Sequence, residues 1–433
     1  MQKELSKKNL QKFEIKAALT KIKPGKEEET QFTQAAASFL KSLNAALKTA
    51  DAKAILGGSG AKETWLSGSH DVDVFALFDY KKYGNQSAEL SDLLEKALKK
   101  SFPKVKIERL HGSRDYFQLS YQGLMFEAVP ILKISKAEQA QNITDISPLH
   151  SQWVNTHAAK VKDDIRLLKQ FCKANYLYGA ESYISGFSGY VLEILTAHYG
   201  SFEKVLKAAQ RWKEKDVIDP STFYPTPEMA LFHINTSKLQ SPLIVIDPVD
   251  KGRNAAAALS MEKYLLFKEM AKKYLQKPAQ EYFEKEKITV DSLQKKYAGK
   301  GTLVLVNVVP TEGKEDAVGA KLLKAFDFLR EKLKGFELVH AGWTWNRGQD
   351  ALFYMMVKKK ELPAAEIRIG PPLKMKEFVE DFKKKNKNTF EEKGRVMAKV
   401  KVELPKLKDF VNALLKEEYV RGKVKGIKKM EIL

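Results

Sequence analysis

Hydrophobic residues recur at two different periods in the first third of the chain. In the segment 27–49 they return every three or four positions, as at Phe32, Ala36 and Phe39, which predicts an amphipathic helix. A second helix of this kind is predicted over 85–100. Short apolar runs predict strands at 54–56, 72–78, 105–107, 116–120 and 124–132. This alternation predicts a mixed α/β domain over residues 1–150.

The pattern changes twice beyond residue 150. Helical periodicity dominates residues 151–277, apart from an irregular stretch with five prolines between Pro220 and Pro248, which predicts loops near a functional surface. Beyond residue 278 the pattern alternates between strands and helices again, beginning with an apolar run at 301–309. We therefore predict an α+β multidomain protein whose domains are 1–150, 151–277 and 278–433.

Composition excludes several classes of protein. Apolar residues make up 44% of the 433 residues, too many for a wholly disordered chain. No apolar run approaches the ~20 residues that span a bilayer, and residues 1–5 lack an apolar signal segment. The single Cys172 excludes an intrachain disulfide and a cysteine-based zinc site. We expect a cytoplasmic protein without a membrane partner.

The net charge of +21 predicts a polyanionic partner, most simply nucleic acid. About half of the excess lies in residues 278–433, which contain 34 basic and 23 acidic residues. The densest basic tracts are Lys383–Lys387 and Arg421–Lys429. A single lysine run also fits a solvated surface, but two runs in a chain with an overall basic bias favour an α/β RNA-binding region.

Acidic residues interrupt two of the apolar strands. Asp71 and Asp73 are two positions apart, so both side chains leave the same face of the predicted strand. Adjacent carboxylates repel each other, and a divalent cation relieves that repulsion. Glu127 interrupts the strand at 124–132 in the same way. Three such acids on neighbouring strands would suit two metal ions about 3.5–4 Å apart, the arrangement used for phosphoryl transfer.

A Gly58-Ser59 pair lies upstream of the two aspartates. It precedes a predicted helix over residues 60–66, whose first turn carries Lys62. Backbone N–H groups, a hydroxyl and a cation at such a turn are suited to bind phosphate. Together with the aspartates, this turn predicts a site for a nucleoside triphosphate and its metal ions.

These residues resemble the signature of the DNA polymerase β-like nucleotidyltransferase superfamily. Residues 58–78, GSGAKETWLSGSHDVDVFALF, are similar to those of the archaeal (class I) CCA-adding enzymes. The similarity continues through ISPLH (146–150), RLLKQFCKANYLYGAES (166–182), GFSGYVLEIL (186–195), AQRW (209–212) and IDPVDKGRNAAAALS (246–260). It implies a polymerase β-like nucleotidyltransferase head followed by a helical central domain.

The resemblance implies synthesis or repair of the 3′-terminal CCA of tRNA from CTP and ATP, without a nucleic-acid template. It also implies two Mg²⁺ ions on Asp71, Asp73 and Glu127. The nucleotide site that it implies consists of Gly58, Ser59, Lys62, Ser147, His150, Lys169, Tyr178, Ser182 and Arg253. Arg253 would read the incoming base together with RNA phosphate. A homodimer is a further expectation, because members of the family often dimerise.

Two positions depart from the pattern of the family. Glu127 stands where the family usually has Asp, which changes the reach of the third acid by one methylene. Lys62 stands where Arg is common, so a point charge replaces a bidentate fork.

Two alternatives remain open on the sequence. One is another template-independent nucleotidyltransferase, such as a poly(A) polymerase or an oligoadenylate synthetase. The other is a catalytically inactive RNA-binding scaffold, which the retained acids at all three positions disfavour. Trp343 and Trp345 share one face of a predicted strand, where they form either a stacking surface for RNA bases or part of the core.

Overall fold

The computed structural model describes residues 2–69 and 71–433, and it separates into two compact units, Met1–Glu286 and Lys287–Leu433. The predicted α+β fold is confirmed in both units. The boundary between the units lies close to the predicted boundary at residue 278. The further division of the first unit at residue 150 stays a prediction.

The first unit begins with long helices and a mixed sheet, and it continues with a mainly helical region. Its helices are α1 (Gln2–Ile22), α2 (Lys26–Leu47), α3 (Gly58–Lys62), α4 (Tyr80–Tyr83), α5 (Leu90–Ser101), α6 (Ser147–His157), α7 (Lys162–Ala174), α8 (Gly189–Tyr199), α9 (Phe202–Ala209), α10 (Pro227–His233) and α11 (Met261–Gln276). Its strands are β1 (Ala52–Leu56), β2 (Asp71–Asp79), β3 (Glu108–Leu110), β4 (Tyr116–Tyr121), β5 (Leu124–Lys133), β6 (Asp216–Ile218), β7 (Leu243–Asp247) and β8 (Asp250–Asn254).

Strands β1 to β5 form one sheet in the order β1-β2-β5-β4-β3. Only the β2–β5 pair is parallel among these strands. Helices α2 and α5 cover one face, and Phe39 of α2 is fully buried between the rings of Phe102 and Phe126, at centroid distances of 4.6 and 4.1 Å. This aromatic packing fixes the sheet that carries the predicted acids.

Helices α6 to α9 and α11 surround a second core, which includes Phe171, Phe187 and Phe267. Arg166 of α7 joins this layer to the segment after α3. Its guanidinium donates to the carbonyl oxygens of Glu63, at 2.6 Å, and of Trp65, at 3.0 Å. The acceptor on Trp65 is buried, so the arginine satisfies a carbonyl group that water cannot reach, and both bonds fix the helical layer against the end of the sheet.

The second unit contains two sheets with separate helices. Its helices are α12 (Val290–Tyr297), α13 (Glu315–Lys332), α14 (Lys376–Lys385), α15 (Leu407–Lys416) and α16 (Glu418–Arg421). Its strands are β9 (Thr302–Val309), β10 (Leu338–Thr344), β11 (Ala351–Val357), β12 (Ala365–Pro372), β13 (Thr389–Glu392), β14 (Arg395–Lys401) and β15 (Gly426–Ile432). The sheet β10-β11-β9-β15 packs against α13 and α15 on one face and against α12 on the other. The sheet β12-β14-β13 has α14 beside β12.

Three local predictions were wrong. The helix predicted over 60–66 is α3, which starts at Gly58 and ends at Lys62 because Glu63 adopts a left-handed conformation with φ 53°. The apolar run 105–107 is not a strand: its side chains pack on the core, and β3 starts at Glu108. The proline-rich stretch contains the fully buried strand β7, which consists of four apolar residues and Asp247 and was not predicted between the flanking prolines.

The structure also bears on the two tryptophans of the second unit and on the question of membrane-spanning helices. Trp343 and Trp345 are half-buried and pack against the core of the second unit, which favours the core interpretation over a stacking surface. In the part of the chain that the structure describes, no helix combines the length and apolar character needed to cross a membrane.

Candidate active site

The three predicted acids lie together at the start of the parallel strand pair. Asp73 on β2 is the direct neighbour of Glu127 on β5, and Asp71 lies opposite Met125. Asp71 and Asp73 share a face of β2, and direct cross-strand neighbours share a face of the sheet. Asp71 is exposed, while Asp73 and Glu127 are half-buried. Three carboxylates therefore lie on one face near the N-terminal ends of the interior strands β2 and β5, and we call Asp71, Asp73 and Glu127 the acidic edge.

The electrostatics of Asp73 show why this edge suits a cation. Burial, followed by the neighbouring charge of Glu127, raises the pKa of the Asp73 carboxyl to about 6. An ionised Asp73 beside Glu127 thus carries unfavourable negative charge, and carboxylate oxygens are the ligands that Mg²⁺ prefers. The donor chemistry at this edge fits a divalent cation.

The acids do not form a complete metal cluster as they stand. Gln118 of β4 donates a hydrogen bond to Glu127. Over residues 2–69 and 71–433, no three His, Cys, Asp or Glu side chains have the arrangement of a metal centre. The roles of Asp71, Asp73 and Glu127 as ligands of two ions therefore stay a prediction.

A glycine turn lies directly against the buried aspartate. The backbone N–H of Gly57 donates to the carbonyl oxygen of Asp73 at 2.8 Å, at the end of β1. Gly58 has a φ of 52°, and a Cβ atom at this position would lie 1.6 Å from Oδ2 of Asp73. Only glycine combines this backbone conformation with this close approach. Ser59 follows in the first turn of α3 and is half-buried.

Lys62 and Lys169 meet at a residue that the sequence analysis did not select. Glu193 of α8 is fully buried, and its two carboxylate oxygens accept hydrogen bonds from Lys62 at 2.6 Å and from Lys169 at 2.7 Å. Thr64 donates to the same carboxylate at 2.8 Å. We call Lys62, Thr64, Lys169 and Glu193 the buried ion cluster.

The pKa shifts within the buried ion cluster have clear causes. Burial on its own would raise the pKa of Glu193, but the charges of Lys169 and Lys62 outweigh it and lower that pKa to about 2. Burial lowers the pKa of Lys169, against the opposing charge of Glu193. Glu193 is therefore ionised at neutral pH. Because its pKa is depressed, it stabilises the fold above its ordinary pKa of 4.5 and loses that effect as the pH falls towards 2.

Two residues of α7 and the following turn flank the buried ion cluster. Tyr178 is half-buried, and burial raises the pKa of its hydroxyl. The ammonium group of Lys173 lies 5.0 Å from the centroid of the Tyr178 ring. Burial lowers the pKa of Lys173, although the charge of Asp71 opposes that shift. Tyr178 therefore lies near a cationic side chain of α7 and near the acids Glu193 and Asp73.

A second group of polar side chains surrounds Asp247, the last residue of β7. Oδ2 of this fully buried carboxylate accepts hydrogen bonds from Nη1 of Arg253 at 2.7 Å and from Nε2 of His150 at 3.0 Å. Oδ1 accepts from the hydroxyl of Tyr190 at 3.1 Å. The rings of His150 and Tyr190 stack at 4.0 Å. Arg253 thus forms its ion pair with Asp247 and not with Asp250, which is closer to it in the sequence.

The remaining candidates for the nucleotide site are Ser147 and Ser182. Ser147 is the first residue of α6, half-buried, and its carbonyl oxygen accepts a hydrogen bond from Ser151. Ser182 is exposed, and its carbonyl oxygen accepts a hydrogen bond from Ser185. The part of these two serines in nucleotide binding stays a prediction.

Sequence reasoning missed Glu193, Asp247, Tyr190 and Thr64. A signal existed for the two acids. Glu193 is the only charged residue in the string 186–195, and Asp247 ends the apolar run 243–247. An acid inside an otherwise buried element requires a partner, since an unpaired buried charge is costly. The partners themselves are remote in sequence and could not be inferred.

If Arg253 and His150 bind the nucleotide, as the family resemblance implies, Asp247→Asn should lower kcat/KM for nucleotide incorporation by about tenfold, the usual effect of losing one charged hydrogen bond. An amide keeps the acceptor for Tyr190 but replaces the charged oxygen that orients Arg253 and His150. Asp250→Asn is the matched control, because its side chain accepts only the N–H of Gly252 among the described residues. Equal effects of the two substitutions on the incorporation of labelled CMP and AMP would contradict a role of Asp247 in orienting Arg253 and His150.

Comparison with known proteins agrees with this architecture. A model of the nucleotidyltransferase domain matches residues 36–147. A model of the second domain of tRNA nucleotidyltransferases matches residues 163–284. A model of the C-terminal domain of CCA-adding enzymes matches residues 300–425. An acidic edge on a sheet beside a glycine turn, in a chain with these matches, defines a nucleotidyltransferase.

Three relatives of the chain identify the family of nucleotidyltransferases more closely. A CCA-adding enzyme of Sulfolobus acidocaldarius is 32% identical over 79% of this chain and 77% of its own length. One from Methanoregula boonei is 29% identical over 93% and 86%. One from Nanoarchaeum equitans is 44% identical, but that match covers 51% of this chain and 54% of the relative. The chain belongs to the CCA-adding enzyme family.

Solved structures that resemble the chain include a cytoplasmic RNA terminal U-transferase and the Cid1 poly(U) polymerase. The first covers 65% of this chain and is matched over its full length, with 14% identity and a TM-score of 0.49. A structure of the second covers 64% of this chain, is matched over 99% of its own length, and has the same identity and TM-score.

Proposed function

We propose that this protein adds and repairs the 3′-terminal CCA of tRNA, using CTP and ATP without a nucleic-acid template and releasing pyrophosphate. The observation that carries the proposal is the acidic edge formed by Asp71, Asp73 and Glu127 in a member of the CCA-adding enzyme family. The inactive-scaffold alternative is disfavoured because the acids are not only retained but adjacent. A cytoplasmic location, where tRNA is matured and used, is part of the proposal.

The carboxylates of Asp71, Asp73 and Glu127 would hold two Mg²⁺ ions. When bound, these ions would activate the 3′-hydroxyl of the tRNA and neutralise charge on the triphosphate. The chain itself supplies the orientation. The glycine turn holds the Asp73 carboxylate against the backbone, and the parallel pairing of β2 with β5 fixes Glu127 beside it.

The nucleotide would lie between the glycine turn and the helical layer. Ser59 and Lys62 of α3 would contact the triphosphate, together with the positive charge of Lys169. Tyr178 would pack on the nucleotide, and His150 would donate to a phosphate or ribose. Arg253, oriented by Asp247, would donate two parallel hydrogen bonds to the base or to RNA phosphate.

The second unit would hold the tRNA stem through contacts with the sugar-phosphate backbone of the RNA. A-form RNA is recognised mainly by shape and phosphate contacts, which suits an enzyme that serves all tRNAs. The two predicted basic tracts differ in the structure. Within Arg421–Lys429, three lysines pair with acids: Lys425 with Glu312, Lys428 with Asp350 and Lys429 with Glu431. In Lys383–Lys387 only Lys383 has an ion pair among the described residues, with Glu391. The tract Lys383–Lys387 is therefore the stronger candidate for the RNA contact.

Stepwise incorporation tests the proposed function. A tRNA that lacks its three terminal nucleotides is incubated with Mg²⁺ and labelled CTP, first alone and then with ATP. We expect two additions from CTP alone and one further addition with ATP, after which growth stops. Continued growth with ATP would indicate the poly(A) polymerase type of activity instead. Light scattering of the same preparation tests the expected homodimer.

A further inference from the structure

Glu193 is a buried carboxylate that contacts two cations from different parts of the first unit. It lies on α8, which begins after the capping residue Ser188 and ends before Gly200. Lys62 belongs to α3, at the end of the catalytic sheet, and Lys169 belongs to α7. Glu193 therefore joins the glycine turn to the helical layer at one point.

The hydrogen bonds of the buried ion cluster distinguish its two lysines. Lys169 has three N–H groups and donates to Oε1 of Glu193 at 2.7 Å, to Oγ1 of Thr64 at 2.9 Å and to the carbonyl oxygen of Thr64 at 3.3 Å. All of its donors are thus used inside the cluster. Lys62 donates one hydrogen bond among the described residues, to Oε2 of Glu193. Its ammonium group lies 5.7 Å from the centroid of the Tyr190 ring. Lys62 consequently retains N–H groups for a further acceptor.

The balance of charge within the cluster is also informative. Glu193 is one carboxylate facing two ammonium groups, so it leaves one positive charge unbalanced within the cluster. The charges of both lysines also act on Asp73, the acid proposed to hold the metal ions. A buried ion pair is weak evidence for stability, because well-packed apolar residues often serve as well. A buried cluster with unbalanced positive charge is more costly still. The cost is offset when an anion binds beside it.

We propose that Glu193 is a positioning residue of the nucleotide site, which holds the ammonium groups of Lys62 and Lys169 so that the triphosphate of CTP or ATP meets a preformed cationic surface. Lys62 donates to the triphosphate directly, and Lys169 acts through its charge and by fixing Glu193. This inference rests on the proposed function. Since the triphosphate is common to both nucleotides, Glu193 affects CTP and ATP equally and has no part in choosing between them.

Glu193→Gln tests the inference through the separate values of KM and kcat. The amide keeps the size of the side chain, but it removes the charge and places an NH₂ group against a lysine donor. We expect KM for CTP and for ATP to rise by the same factor, about tenfold, because a contact made in both ground and transition states is lost. We expect kcat and the KM for tRNA to change by less than about threefold. A fall in kcat with both nucleotide KM values unchanged indicates a merely structural role and overturns the inference.

The matched control is Glu269→Gln, the same chemical change at an exposed glutamate that pairs with Lys273 on α11. It should leave every kinetic constant unchanged. The double variant Lys62→Met with Glu193→Gln gives a second test. If Glu193 acts through Lys62, adding the second substitution raises KM little further, because residues in one network are not additive. Fully additive effects contradict the inference.

A milder variant covers the case in which Glu193→Gln does not fold, as judged by thermal unfolding. Thr64→Val removes one hydroxyl that contacts both Glu193 and Lys169, and it should raise both nucleotide KM values by a smaller common factor. Unchanged values overturn the inference. Equilibrium dialysis of CTP with Mg²⁺ separates this inference from the proposed function. If the wild type incorporates neither CMP nor AMP, the proposed function fails, but weaker CTP binding by Glu193→Gln than by wild type still supports the role of Glu193, and equal binding rejects it.

Discussion

Asp73→Asn should abolish the incorporation of both CMP and AMP. The substitution keeps the shape of the side chain but removes the charge that a divalent cation requires. Loss of several kcal/mol of transition-state stabilisation corresponds to a fall in kcat of about a thousandfold or more. The affinity for tRNA should stay within about twofold of wild type, because backbone contacts elsewhere on the protein dominate it. Single-turnover incorporation and filter binding measure the two quantities.

Asp79→Asn is the matched control for this substitution. Asp79 is the last residue of the same strand, and its side chain caps α4 by accepting the N–H of Lys82 at 3.0 Å. Asparagine is an equally good capping residue, so this variant should retain wild-type activity. Substantial incorporation by Asp73→Asn, or an equal loss in both variants, would reject the catalytic assignment of Asp73.

Gly58→Ala should lower the rate of incorporation by about a hundredfold or more, although no acid is altered. A Cβ atom at Gly58 would occupy the position of the Asp73 carboxylate, at 1.6 Å from Oδ2. Either the turn or the carboxylate must therefore move, and a displacement of about 1 Å at a reacting centre is enough for this loss. Single-turnover rates measure the effect, and thermal unfolding shows that the fold persists.

Gly68→Ala separates this clash from backbone strain. Gly68 also has a positive φ, 76°, but a Cβ atom there meets no atom of the described residues within 4 Å. Its substitution should reduce stability slightly through strain and leave the rate of incorporation unchanged. If both alanine variants lose activity to the same extent, strain and not the displaced carboxylate is responsible.

Several features of the active site were predictable from the chain alone. The spacing of Asp71 and Asp73 dictates that they share a face of any strand, because side chains alternate along a strand. The apolar neighbours of Glu127 dictate a strand as well. That the two strands are parallel neighbours, with Asp73 directly beside Glu127, depends on the register of the sheet. Register is set by the packing of the whole sheet and not by either strand.

The glycine turn was also predictable only in part from the sequence. A Gly-Ser pair before a predicted helix predicted a phosphate-binding turn. The structure has a turn at this place, with Gly58 at a φ of 52°, and its role in binding phosphate stays a prediction. The bounds of α3 were wrong because a left-handed residue, Glu63, ends the helix early. Directly after the helix, Arg166 binds the carbonyl oxygens of Glu63 and Trp65. Such contacts with a helix about 100 residues away leave no local signal.

The basic excess was visible in the composition, and its distribution pointed to the second unit. In the structure, the two basic tracts of this unit differ in how many of their lysines form ion pairs. Within Arg421–Lys429, two lysines pair with acids from distant segments and Lys429 pairs with Glu431 nearby. In Lys383–Lys387, at the end of a helix, only Lys383 has an ion pair among the described residues. The number of charges follows from the sequence, but which lysines form ion pairs with acids depends on the fold.

The sequence by itself determined the class of chemistry, because acids, glycines and helix periods are local features that any fold must respect. Only the tertiary structure decided the partners of those features. Glu193 and Asp247 are each a single acid in an apolar string, and nothing near them in sequence identifies Lys62 or Arg253 as their partners. The reason is physical: a buried charge needs a counter-charge within about 4 Å in space, and the chain supplies it from whichever segment packs there.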